Sequence, residues 1–252
     1  MTLQFIFSIG YRCYSPEFLK RHNLRKISSP FDYLMVDIET AFHAIHTQFD
    51  EYLHDIVLFH KNNKQAELYY PKKTTSVNPQ WNTLFDHSVK YMGNSYDDTT
   101  LLFNQNYVDS VSSNLYDWNR ICLFLHHNLL DSTVYTTLRE RCTRMTSIIN
   151  TYPDTTALLY MTKIIESNED DYMDYILQLK TKYNIHCTII VIMNCSNRKE
   201  ETIVREGCLF IIHPVASYYV QQHGTDNNGS YTTPFQIISH HFKLQLIEQK
   251  DL

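Results

Sequence analysis

The sequence predicts an α/β fold, namely a single three-layer domain with a mostly parallel central sheet and helices on both faces. Short apolar runs alternate with amphipathic helical patterns along the chain, which is typical of this class. Residues 187–193 form a continuous apolar run, as expected for a strand covered on both faces. Together with a predicted strand at 156–161 and helix at 170–183, this run forms a strand–helix–strand unit, for which parallel pairing is expected.

The overall composition indicates which class of protein this is. The chain has 252 residues, of which 43% are hydrophobic and 19% charged, and this favours a globular protein with a sizeable core. The net charge of −5 and the lack of a basic block argue against a nucleic-acid partner. Because no run of about 18 apolar residues occurs, we expect no membrane span.

The cysteines and glycines of the sequence indicate which cellular compartment and which cofactors to expect. None of the six cysteines forms a Cys-x-x-Cys pair, and the N-terminus lacks the features of a signal peptide. We therefore expect free thiols in a reducing cytoplasm. With 5 glycines and no glycine-rich phosphate loop, the sequence predicts no nucleotide cofactor, and no cofactor or metal of another kind is expected.

The chain begins with a predicted strand, turn and helix. Residues 3–9 are a short apolar run rich in β-formers, and Gly10 supplies the turn. Ser15 and Pro16 indicate a helix start, with a hydroxyl at the N-cap and proline at the first helical position. We expect this helix to cover residues 16–22.

Cys13 lies in that turn, beside Arg12 and just before the predicted helix. A neighbouring cation and a helix N-terminus both favour the thiolate, the nucleophilic form of cysteine. The alternative is a half-buried loop cysteine without chemistry, which is the common case for free cysteines.

Two further stretches shape the prediction. Asp32 lies between two aromatic residues, where it is either buried and paired or a cap of the turn.

Residues 1–252 are predicted to form one domain, with an irregular insertion at about residues 54–117, because this stretch shows little periodicity.

His126 and His127 follow a predicted buried strand at residues 120–125. In open α/β sheets, ligand sites form beyond the carboxyl ends of the strands, so these are the leading candidates among the 13 histidines. Successive strand residues point to opposite faces, so at most one of the two is expected to face a given cleft. A metal site formed with Cys13 would have few and irregularly spaced ligands, and no metal is expected.

Asp131 or Ser132 is predicted to cap a long helix that ends near residue 150. Arg141 falls on the border of its apolar stripe, and Arg144 lies one turn further on. An arginine at such a border extends to solvent or pairs with a carboxylate, and Asp32 is a candidate partner for Arg141.

Three blocks of the sequence together resemble one family. The segment from Ser8-Ile9-Gly10 to Cys13 resembles a Ser-Leu-Gly-x-x-Cys start, and residues 29–33 resemble a Pro-Phe-Asp-Trp motif. Residues 124–129, followed by Arg141 and Arg144, resemble a His-His-Asp block followed by Arg-x-x-Arg. The chain is thereby identified as a member of the putative papain-like cysteine peptidases of bacteria and large DNA viruses, with the resemblance covering about residues 3–165.

This resemblance implies a thiol-dependent hydrolase that acts on a peptide, amide or ester. It implies Cys13 as the nucleophile and His126 or His127 as its base, with Asn128 or Asp32 as the group that orients the imidazole. The sequence departs from the family pattern at Tyr33, where the family has tryptophan, and at Asn128, where it has aspartate. A viral member would work in the cytoplasm of its host.

Two other functions remain open from the sequence. One is a non-catalytic interaction protein on the same fold, in which Cys13 would be buried and far from the histidines. The other is a carbohydrate-modifying α/β enzyme with a glycan substrate, suggested by Asp32, Arg141 and the two histidines without a phosphate-binding loop. The papain-like plan implies an antiparallel sheet, whereas the strand pattern predicts a parallel one.

Overall fold

The structure is a computed structural model, which describes residues 1–11, 13–79, 81, 99–108, 120–162, 165, 168–196, 199–215 and 232–251. The chain divides into two compact units: the first comprises Met1–Asp32 and Arg144–Leu252, and the second Tyr33–Thr143. The α-helices of the described residues are α1 (Tyr14–Arg21), α2 (Ile38–His46), α3 (Ser132–Thr151), α4 (Glu169–Lys182) and α5 (Thr232–His241). None of these helices is long and apolar enough to cross a membrane.

The strands of the described residues fall into three sheets. In chain order they are β1 (Thr2–Leu3), β2 (Phe5–Ser8), β3 (Met35–Val36), β4 (Ile56–His60), β5 (Gln65–Tyr69), β6 (Thr100–Asn104), β7 (Cys122–Leu123), β8 (Thr156–Met161), β9 (Thr188–Cys195), β10 (Glu201–Arg205), β11 (Cys208–Pro214) and β12 (Lys243–Leu244). Strands β1 and β12 form a two-stranded parallel sheet, and the others form two five-stranded sheets, one in each unit.

The first unit contains a mixed sheet in the order β10-β11-β9-β8-β2. Strands β11, β9, β8 and β2 are parallel, and β10 is antiparallel to β11. The predicted strand–helix–strand unit is confirmed as β8, α4 and β9, because β8 and β9 pair in parallel. Apolar residues of these strands pack with α1 and α5, including Leu159, Ile190, Phe18 and Ile238.

Strands β10 and β11 form a tight hairpin. Its two-residue turn consists of Glu206 and Gly207, with φ of 50° and 73°. Two successive positive φ values define the turn type that matches the twist of a hairpin, and glycine adopts that region at little cost. Arg205 and Cys208 are therefore the pair that closes the hairpin.

The second unit contains an antiparallel sheet in the order β3-β7-β6-β4-β5. The prediction of one mostly parallel central sheet is therefore only partly right. The fold is α/β, but one of its two five-stranded sheets is antiparallel. Short buried strands carry no periodicity that distinguishes parallel from antiparallel pairing, which is why the sequence did not reveal this sheet. The three-layer arrangement with helices on both faces stays a prediction.

The stretch predicted as an irregular insertion contributes three strands of this sheet. Strands β4, β5 and β6 all lie between residues 54 and 117, while residues 80, 82–98 and 109–117 lie outside the described part of the chain. The organisation as a single domain with an insertion stays a prediction.

One buried carboxylate joins the parts of the second unit. Asp55 is fully buried and accepts hydrogen bonds from the backbone N–H groups of Lys72 (2.8 Å) and Lys73 (2.9 Å). It also accepts from the hydroxyl of Thr74 (3.1 Å) and the side-chain amide of Asn106 (2.8 Å). Burial alone would raise the pKa of Asp55, but these donors outweigh it and lower the pKa from 3.8 to about 2.

Replacing this carboxylate should destabilise the protein in a pH-dependent way. A lowered pKa means that Asp55 stabilises the fold above about pH 4 and that this stabilisation is lost as the pH falls through 2. The effect amounts to about 2 kcal/mol. Urea unfolding should therefore show Asp55→Asn less stable than the parent by about this amount at pH 7, with a smaller difference near pH 2.5. An equal difference at both pH values would contradict the assignment.

Candidate functional site

Cys13 lies at the N-terminus of the first helix of the chain, where its side chain makes no capping hydrogen bond. Strand β2 ends at Ser8, and Gly10 follows with a φ of 112°, a conformation that favours glycine. Cys13 is the N-cap of α1, and its carbonyl accepts the backbone N–H of Glu17 at 3.0 Å. The predicted position of the cysteine at a helix N-terminus is confirmed.

The predicted first residue of this helix is wrong by two positions. The helix begins at Tyr14, so Pro16 is its third residue, where an N–H would still lack a partner within the helix. Ser15 is fully buried and does not cap the helix; its hydroxyl donates to the carbonyl of Gly10 and accepts from the N–H of Met161 (3.1 Å). This bridge ties the turn that carries Cys13 to the end of β8.

Exposure separates Cys13 from the other cysteines. All six lie in the described residues and are free thiols, and Cys13 alone is partly exposed. Burial raises the pKa of Cys142 and Cys187 to about 12, that of Cys208 to about 11, and that of Cys122 well above its usual value. These four thiols are therefore protonated, and poor nucleophiles, at neutral pH.

Asp32 is buried and paired, which decides between the two alternatives left by the sequence. Only 1% of the residue is exposed. Its carboxylate accepts from the hydroxyl of Ser8, from the N–H of Ser29 (3.0 Å), and from Nε (2.9 Å) and Nη2 (2.7 Å) of Arg25. The Ser29 hydroxyl donates in turn to the carbonyl of Ser8 at 2.6 Å. The loop at residues 29–32 is thereby fixed to the end of β2, five residues before Cys13.

The arginines occupy different places. Arg144 donates from Nη2 to the carbonyl of Ser28 (3.4 Å), and Arg25 donates to the hydroxyl of the same serine (3.3 Å). Arg25 is the cation that the structure places on Asp32, whereas Arg141 is a partly exposed residue of the second unit. Pairing of Arg141 with Asp32 stays a prediction. Arg12 lies outside the described residues.

The two histidines follow an antiparallel strand of the second unit. Strand β7 is only two residues long and pairs with β3 and β6, so the expected position beyond a parallel strand is wrong. His126 is exposed and lies in a turn, while His127 is partly buried. The ring of Tyr33 meets that of His126 edge-on, with centroids 6.0 Å apart and planes at 70°. Two of the three motif blocks therefore meet at His126.

The surroundings of His126 favour a neutral ring. The residue is exposed, yet nearby protein atoms partly desolvate its imidazole, and this lowers the pKa of His126. A histidine with a lowered pKa is uncharged at neutral pH and can accept a proton. His126 thus has the protonation state that a general base requires.

Asn128 stabilises the turn that follows it in the chain. Its side-chain oxygen accepts the N–H of Leu130 at 3.2 Å, while its carbonyl accepts the N–H of Asp131 at 3.0 Å. Asp131 caps α3 as predicted, because its carboxylate accepts the N–H of Thr133 at 2.8 Å. A role for Asn128 in orienting an imidazole stays a prediction.

The sequence-predicted residues divide between the two units. Cys13, Asp32 and Arg144 belong to the first, and His126, His127, Asn128 and Arg141 to the second. Within the described ranges, no group of three or more metal-ligating side chains is present.

The sequence did not indicate the contacts that fix the cysteine turn. They are made by Ser8, Ser15, Ser29 and Arg25. Ser8 could have indicated such a contact, because it places a hydroxyl at the end of an apolar run, where a buried polar group needs a partner. No spacing rule pointed to Arg25.

Removing Arg25 should destabilise the protein strongly, because it leaves the Asp32 charge buried without its cation. Loss of one partner from a buried ion pair typically costs about 3–5 kcal/mol. Urea unfolding at pH 7 should show a loss of this order in Arg25→Ala. Lys20→Ala is the matched control, since Lys20 lies on an exposed helix surface 3.9 Å from Glu17, and should change stability by less than about 1 kcal/mol. Equal effects in both variants would contradict the account.

Comparison with known families accounts for the motifs. The family model described as putative papain-like cysteine peptidase (DUF1796) matches residues 4–197, a range that includes Cys13, Asp32, His126 and His127. Neither the curated proteins nor the solved structures gave a match. The family match covers well over half of the chain and confirms the resemblance expected from the three motif blocks. The chain therefore belongs to the family of putative papain-like cysteine peptidases.

Proposed function

We propose that this protein is a thiol-dependent hydrolase that acts on a peptide, amide or ester, with Cys13 as its nucleophile. The observation that carries the proposal is the contrast among the six cysteines: five are buried, and the partly exposed one lies at the N-cap position of a helix. That cysteine also lies in the family's Ser-Leu-Gly-x-x-Cys motif. A partly exposed thiol at this position is expected for a nucleophile.

The local backbone supports this role. The N-terminal end of a helix carries partial positive charge, which stabilises a thiolate at the cap and an oxyanion that forms beside it. The Cys13 turn is held by the Ser8–Asp32 and Ser15–Met161 contacts on its two sides. A nucleophile held in this way needs little reorganisation during the reaction.

The reaction would follow two steps. The Cys13 sulfur attacks the carbonyl carbon of the substrate, and the thiol proton passes to a histidine. The bond to the amine or alcohol then breaks, the leaving group takes this proton, and the acyl group remains on sulfur as a thioester. Water attacks the thioester and gives one proton to the same histidine; the carboxylic acid departs, and that proton returns to sulfur.

His126 is the favoured base, and His127 is the alternative. The lowered pKa of His126 and its contact with Tyr33 both support this choice. Asn128 remains the proposed orienting group, because the Asp32 carboxylate already binds Arg25, Ser8 and Ser29. Six free thiols also support the proposal of a reducing compartment, the cytoplasm of the cell or of a host.

Alkylation rates test the nucleophile. Native protein treated with iodoacetamide near neutral pH should be modified first at Cys13, as read by peptide mass spectrometry. The other five thiols should react only after unfolding, since they are buried. Cys13→Ser should abolish the fast phase, and Cys142→Ser, a matched buried position, should leave it unchanged. If Cys13 reacts no faster in the native protein than in urea, the nucleophile is refuted and a non-catalytic protein is favoured.

Histidine variants test the base. Loss of the paired imidazole should slow Cys13 alkylation at pH 6.5 by about tenfold, because the neutral ring accepts the thiol proton and the imidazolium so formed favours the thiolate by about one pH unit or more. We expect this loss in His126→Ala, whereas a loss in His127→Ala alone would assign the role to His127. His46→Ala, on an exposed position of α2, is the control. Unchanged rates in both test variants would refute a histidine base.

A further inference from the structure

We propose that the outer edge of β10 pairs with β10 of a second copy of this chain, so that the sheets of two first units form one continuous sheet. Among the residues that the structure describes, β10 is the end strand of its sheet, and β11 is its neighbour. Val204 on this strand is 55% exposed and is one of four exposed large apolar residues among those that the structure describes. The inference concerns assembly and is independent of the proposed hydrolase.

The hairpin register determines which backbone groups face outward. Arg205 and Cys208 flank the two-residue turn and therefore exchange hydrogen bonds with each other. Antiparallel pairing alternates, so Ile203 and Glu201 also direct their backbone groups toward β11. The N–H and C=O groups of Thr202 and Val204 accordingly point away from the sheet, and both residues are exposed.

These outward groups define one self-complementary register, centred on Ile203. Thr202 would exchange backbone hydrogen bonds with Val204 of the second copy, and the reverse pair follows from two-fold symmetry. Glu201 would then lie opposite Arg205 of the second copy, in a pair without backbone hydrogen bonds, where side chains approach most closely. Each dimer would contain two such ion pairs.

Other arrangements lack this charge complementarity. Pairing centred on Thr202 would oppose Lys199 to Arg205, which are like charges. Strand β5, the end strand of the other large sheet, would oppose Glu67 to Glu67 if it paired about its middle residue. Like charges directly opposite each other destabilise a strand pair. Among these choices, β10 about Ile203 is favoured.

The surroundings of Arg205 can receive the second copy. Arg205 donates from Nη2 to the Asp174 carboxylate of α4 at 2.7 Å, yet its side chain remains 40% exposed. A groove of about 520 Å³ lies between α4 and the hairpin and includes both residues and Leu177. Glu201 of the second copy would enter on this face, because residues 201, 203 and 205 share one side of the strand.

Strand β10 also lacks three of the features that commonly block edge pairing. It contains no proline, lysine or bulge, and its five residues pair with β11 without interruption. Natural edge strands are commonly protected by such features.

Molar mass as a function of concentration tests the pairing. Light scattering on the full chain at about 100 µM should give twice the monomer mass of 29.9 kDa, falling toward the monomer on dilution. Val204→Pro should remain monomeric, because it removes an outward N–H and keeps the bonds to β11. Val204→Thr is the matched control and should dimerise. A monomer at all concentrations, or a dimer of Val204→Pro with unchanged circular dichroism, would overturn the proposal.

A charge exchange tests the register itself. Glu201→Arg alone and Arg205→Glu alone should each be monomeric, because each places like charges opposite each other. Their equimolar mixture should form a heterodimer with two ion pairs, one of parent polarity between the unchanged Glu201 and Arg205 and one of reversed polarity between the two substituted positions. Native mass spectrometry distinguishes the heterodimer when one variant is ¹⁵N-labelled. Homodimers of either variant, or no heterodimer in the mixture, would refute the register centred on Ile203.

Discussion

The buried charge of Asp32 is the constraint on which the cysteine turn depends. A carboxylate removed from water costs several kcal/mol unless its lone pairs are satisfied. Here Arg25 donates two hydrogen bonds to the carboxylate, from Nε and Nη2. The hydroxyl of Ser8 and the backbone N–H of Ser29 donate two more. Since Ser8 is the last residue of β2, this network fixes the point at which the chain leaves the sheet toward Cys13.

A second buried hydroxyl holds the other side of that turn. Ser15 lies two residues after Cys13 and joins the carbonyl of Gly10 to the backbone of Met161 on β8. The turn is therefore fixed before and after the cysteine by contacts within the first unit. This explains how a partly exposed thiol keeps a defined position while it is accessible to a reactant.

Several features could be predicted from the sequence because they arise from local physics. The unit of β8, α4 and β9 follows from periodicity, and the capping of α3 by Asp131 follows from the need of helix N–H groups for an acceptor. The position of Cys13 near a helix start was predicted from Ser15 and Pro16, although Ser15 does not cap the helix.

Features that depend on tertiary context could not be predicted. Ser15 followed by Pro16 matches an N-cap signal, but its hydroxyl bonds to Gly10 and Met161, so the helix begins earlier. Arg25 lies seven residues before Asp32, and only the chain reversal after α1 brings their charges together. The antiparallel sheet of the second unit was missed because pairing direction leaves no trace in short apolar strands.

In the proposed mechanism, Cys13 and a histidine titrate as a pair, and proton coupling between them is the most direct test. Ring nitrogen chemical shifts of ¹⁵N-histidine can be followed from pH 5 to 9 in the parent and in Cys13→Ser. The account predicts that the midpoint of His126, or of His127 if that residue is the base, changes when the thiol is removed, while His46 stays unchanged. Identical titration curves for both candidate histidines in the two proteins would contradict it.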